Sequence, residues 1–99
     1  MAKFALLVEL TAKPGKESEV EAFLEKEATI VRGEPGTLSW HAAKVEGESG
    51  VYRIFDTFPD EAAREAHLNG EAGQELAANA EKLFAVTPRV YRLQVAAQK

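Results

Sequence analysis

The chain has no cysteine, only two histidines, one tryptophan and one methionine among 99 residues. Without thiols there are no disulfides, no thiolate nucleophile and no Cys-ligated zinc or iron–sulfur centre. That composition suits a reducing compartment, and a cytoplasmic protein is expected. Basic residues are also in short supply: 12 Lys and Arg stand against 16 Asp and Glu, for a formal net charge of -4. They are scattered, so no basic stripe exists to neutralise phosphates, and nucleic acid is not expected as a partner. Long hydrophobic runs are missing too. The N-terminal FALLVEL is broken by Glu9 and reads as a strand, and no stretch is long enough to cross a bilayer, so no membrane partner is expected.

Signatures of common chemistries are absent as well. His41 and His67 stand apart, with no HxxxH or HxxE spacing, and no metal site is expected. GEPG and GESG lack the following lysine of a phosphate-binding loop, and no GxSxG surrounds Ser18, Ser39 or Ser49. The glutamates Glu17, Glu19, Glu21, Glu25 and Glu27 read as a solvated helix face.

What is present is an ordinary mixture, 45% hydrophobic and 28% charged, enough for one modest core and therefore for a single domain over residues 1–99. Phe4, Leu6, Val8, Leu10 and Ala12 alternate with Ala5, Leu7, Glu9 and Thr11, predicting a strand that KPGK ends. From Ser18 to about Arg32, Val20, Phe23, Leu24, Ala28 and Val31 recur at helical spacing, with Gly33 at a C-cap position and Pro35 beyond it. Thr37–Val45 and Val51–Phe58 read as a hairpin joined by EGESG. Asp60 offers an N-cap to a helix bearing Ala63, Ala66, His67 and Gly70 on one stripe; NGE interrupts it, and Leu76, Ala77, Ala80, Leu83 and Phe84 resume at a new phase. Arg89–Ala97 supplies a last strand.

The order β-α-β-β-α-(α)-β predicts an α+β, ferredoxin-like split βαβ domain: a four-stranded antiparallel sheet with its helices on one face. Apolar residues fall on both sheet faces, and a second copy packing face to face would cover the one without helices, so a homodimer is expected. Trp40 shares the more apolar strand face with Leu38 and Ala42 and is assigned to the helix side, His41 to the dimer side. Small neighbours, Ala63 among them, leave room beside His67. That residue is either a core histidine bonded to a backbone carbonyl or a site group. Arg53 and Arg92, inside predicted strands, require partners, with Glu9 and Asp56 as candidates.

AKPGKESEVEAFL, VRGEPGTLSW and FDTFPDEAAREAHL, in this order, resemble the antibiotic biosynthesis monooxygenase family over nearly the whole chain. The resemblance implies a dimeric α+β barrel in which each subunit keeps a pocket between helices and sheet. It also implies oxidation of phenols, anthrones or quinols by dioxygen with neither metal nor flavin, hence no cofactor. His67 would then be the catalytic base or phenolate partner, with Trp40, Val8, Leu38, Phe55 and Ala63 lining a slot for a small aromatic molecule. Ala72 stands where many members carry a second histidine, and Val8, His67 and Ala77 occupy the positions used by heme-degrading relatives for asparagine, tryptophan and the iron ligand, which disfavours heme chemistry. The alternative function is a non-catalytic dimeric module that binds a small apolar metabolite.

Overall fold

The computed structural model describes residues 1–99. Elements follow in the order β1 (Phe4–Thr11), α1 (Glu17–Val31), β2 (Ser39–Lys44), β3 (Val51–Phe58), α2 (Glu61–Leu68), α3 (Glu71–Leu83) and β4 (Arg89–Gln94). The four strands form one antiparallel sheet in the order β2-β3-β1-β4, with the first and third strands central, as the split βαβ order requires. No helix is long and apolar enough to cross a membrane.

Alternation in β1 decides which face is covered. Val8 and Leu10 are buried in one cluster with Tyr52 and Ile54 of β3 and Val20, Phe23 and Leu24 of α1, Trp40 and Ala42 of β2 pack against it, and Leu6 is buried on the same strand face. Tyr52 buries its ring and donates its hydroxyl to Glu21 Oε2 at 2.8 Å, which keeps its polar end satisfied. The opposite face carries a row of paired residues across all four strands, His41, Phe55, Leu7 and Tyr91, with no element of the chain over it.

The elements end where local chemistry stops them. Gly15 adopts φ +81, a left-handed conformation that a side chain resists, and turns the chain out of β1. Asp60 caps α2, its carboxylate accepting from the Ala63 amide at 2.8 Å. Gly33 is not a left-handed cap. Arg32 stays helical and the chain leaves α1 through a tight turn, the Gly33 amide donating to Ile30 O at 3.1 Å and that of Glu34 to Val31 O at 2.9 Å. The outer strands are shorter than the sequence pattern, although single bonds continue the ladder at Leu38 to Thr57 O and Val95 to Lys3 O.

The predicted arginine pairs resolve into surface contacts: Arg53 lies 3.6 Å from Glu9, and Arg92 pairs with Glu65. The buried arginine is Arg64. Its guanidinium donates to Leu93 O at 3.0 Å and lies 5.1 Å over the Phe4 ring, tying α2 to the β1–β4 edge.

Candidate functional site around His67

Three chain segments converge on His67, which sits in the last turn of α2. Asp56 stands on the helix side of β3 between Ile54 and Phe58, so strand alternation places a carboxylate inside the core, where it needs a partner. His67 Nε2 supplies it at 3.1 Å from Asp56 Oδ2. Its Nδ1 lies 2.6 Å from Oε1 of Glu34, in the turn after α1, and that same oxygen accepts from the Thr37 hydroxyl at 2.7 Å. The Phe58 ring packs beside the imidazole, with centroids 5.3 Å apart.

Burial works against charge on His67, but the hydrogen bonds and charges of Asp56 and Glu34 outweigh it and push the imidazole up to about 8. At neutral pH the ring is a cation donating from both nitrogens. A histidine held this way has no free lone pair to act as a base; it can steady a negative charge formed nearby.

Between the sheet and the helices a small cavity of about 40 Å³ opens against this pair. Leu6, Val8, Ile54 and Trp40 wall it on the sheet side, Leu76 and Ala72 on α3, and His67 and Asp56 at its polar end. Glu27 of α1 also lines it. Glu27 is only 3% exposed and Asp56 1%, and each has one oxygen without a hydrogen-bond partner, Glu27 Oε2 and Asp56 Oδ1. Burial pushes the Glu27 carboxyl up to about 7, against a downward pull from His67.

Of the residues expected around the pocket, His67, Trp40 and Val8 meet in this cavity. Leu38 and Ala63 do not. Leu38 is 48% exposed in a neighbouring groove of about 220 Å³ that shares Trp40 as a wall, and Ala63 borders a surface recess on the outer side of His67, beside Gly36. Phe55 requires correction. The β1–β3 register runs unbroken to Phe4↔Phe58, with no bulge to change parity, so Phe55 points to the uncovered sheet face and is 44% exposed. Glu27, expected on a solvated face, is buried instead. The signal for it was its position: with Val20, Phe23, Leu24 and Val31 it completes the buried stripe of α1. No group of three or more His, Cys, Asp or Glu side chains is arranged to hold a metal ion.

The family model for antibiotic biosynthesis monooxygenase matches residues 3–79. A crystal structure of a protein of unknown function from Nitrosomonas europaea is similar over 100% of this chain and 94% of that one, with 39% identity and a TM-score of 0.93. A Pseudomonas aeruginosa protein shares 24% identity at a TM-score of 0.84, covering 98% of this chain and 97% of its own. A structure described as an antibiotic biosynthesis monooxygenase aligns at a TM-score of 0.83 and 17% identity, over 95% of this chain and 99% of that one, a likeness of fold. No curated protein matches the sequence. The match to the family model spans most of the chain and includes β1, both turns flanking α1 and the segment that carries His67, so the chain belongs to the antibiotic biosynthesis monooxygenase family.

Proposed function

We propose that the protein is a homodimeric monooxygenase that oxidises a small phenolic, quinol or anthrone-like molecule with dioxygen and without a cofactor. The observation that carries the reading is the His67–Asp56 ion pair at the polar end of an otherwise largely apolar cavity. Asp56 Oδ1, buried without a hydrogen-bond partner, takes the proton of the substrate, and the His67 cation steadies the anion that remains. An anion held in a dry, apolar slot is a stronger reductant than in water and passes an electron to dioxygen directly. At a substrate methylene, or at a ring CH of a phenolate or quinol anion, the carbanionic carbon and dioxygen combine to a hydroperoxide, which loses water and leaves a carbonyl, so that one oxygen atom enters the product and the other leaves as water.

An aromatic ring exceeds the present volume, since about 150 Å³ is the size of an apolar cavity that takes up benzene. Trp40 is the wall shared with the 220 Å³ groove, and its displacement joins the two spaces. Oxygen uptake with a panel of hydroquinones and anthrones tests the reading. Uptake above autoxidation is expected for the wild type and its loss in His67→Ala, with the dimer intact by sedimentation. The small volume also favours a second reading, a dimeric module that binds a metabolite without turning it over; ligand-induced stabilisation with no oxygen uptake across the panel selects it.

A further inference from the structure

The cavity has two unpartnered carboxyl oxygens, and they come from opposite layers of the fold. Asp56 Oδ1 rises from the sheet, and Glu27 Oε2 descends from α1. Asp56 has His67 as counter-ion, whereas Glu27 has no ion pair. Its sequence neighbour Lys26 turns outward to bond Glu75 at 2.8 Å. A purely structural side chain at this point of the α1 stripe would be apolar, like Val20, Phe23, Leu24 and Val31 around it. Leaving a buried carboxyl oxygen unbonded is costly, and such a group persists where something outside the chain completes it. The α3 residues that line the same cavity, Ala72, Gly73 and Leu76, bring no polar side chain to fill that role.

We propose that Glu27 is a second hydrogen-bonding anchor of the cavity, acting with Asp56 to select an uncharged ligand that carries a hydroxyl at each end over one with a single hydroxyl. Each hydroxyl meets one of the two free oxygens, one in the sheet layer and one in the helix layer. A carboxylate-bearing ligand is disfavoured, because it would bring a like charge against Asp56. This deepens the reading of the cavity as the ligand site but needs no oxygen chemistry.

The test is anaerobic binding followed by fluorine NMR, with fluorohydroquinone and 4-fluorophenol as probes, on wild type, E27Q and E27L. In the wild type the second hydroxyl is expected to tighten binding about tenfold. E27L is expected to bring the ratio of the two affinities to about one, and E27Q, which keeps a donor and an acceptor in place, to hold most of it. Should E27L not fold, E27A removes the same anchor and gives the same ratio. An unchanged ratio in the apolar variants, no preference in the wild type, or no fluorohydroquinone binding at millimolar concentration each overturns the proposal. The ratio is independent of turnover: its loss in E27L with no oxygen uptake by the wild type sinks the monooxygenase reading alone, and oxygen uptake with an unchanged ratio sinks the role of Glu27 alone.

Discussion

His67 Nε2 lies 3.1 Å from Asp56 Oδ2, a hydrogen-bonded ion pair that joins the last turn of α2 to the centre of the sheet where almost no water reaches either group. The pair is both a structural link and the polar end of the cavity. Mutations that touch it therefore have stability and site consequences that different measurements separate.

The first consequence is a titration. The imidazole holds its proton to about 8, above its ordinary value, so its contribution to stability is fully present below about pH 6.5 and is lost as pH rises through 8. Proton NMR should place the His67 titration near 8 in the wild type and nearer the ordinary histidine value in Asp56→Asn. A wild-type value below 6.5 would show that burial, not the carboxylates, dominates.

Glu27 adds a pH dependence of the same sign. Its folded-state carboxyl is raised to about 7, so the native state binds its proton more tightly than the unfolded chain does, and that advantage is lost between about pH 4.5 and 7. Glu27→Gln is therefore expected to match the wild type near pH 4 and to be more stable at pH 8 by roughly 1–2 kcal/mol in urea unfolding. Equal stabilities at both pH values would mean that the carboxyl is solvated.

Gly73 is set by contact. A Cβ there would lie 2.2 Å from the Leu68 carbonyl oxygen, where the end of α2 meets the first turn of α3 beside the cavity. The obstacle is backbone, which cannot swing aside. Gly73→Ala is expected to cost about 1–3 kcal/mol and to displace α3 from His67, seen as a lowered midpoint and shifted imidazole resonances.

How much of this was legible follows from the physics of each element. The split βαβ order and the separation of Trp40 from His41 onto opposite faces could be read because strand alternation has a strict period and β1, β2 and β3 pair without a bulge. The same regularity overturns the pocket assignment of Phe55. Glu27 is not legible from its charge, only from its position: among five acidic residues of α1 it alone completes the buried stripe. Glu34 and Asp56 as partners of His67 were not legible, since their meeting depends on how a turn, a strand and a helix dock. Gly33 shows the opposite limit, a composition cue for a left-handed cap where a tight turn serves instead.

The uncovered sheet face yields a prediction about assembly. Leu7 sits at its centre, paired with Phe55 on one side and Tyr91 on the other. If a second copy covers this row, as proposed, Leu7→Glu should convert a dimer to a folded monomer in sedimentation at micromolar concentration, because a buried unpaired charge is costly at a sheet-on-sheet interface. A wild-type monomer, or a dimer untouched by Leu7→Glu, would remove that face from the interface.

The most direct test of the central claim, that the cavity at His67 and Asp56 is the ligand site, is a crystal structure of the protein soaked anaerobically with hydroquinone. The expected result is a ring between Trp40 and Val8 with one hydroxyl on Asp56 Oδ1 and the Trp40 indole moved from its present position. A structure with hydroquinone bound elsewhere, or with Trp40 unmoved and the cavity still closed to the ring, would contradict it.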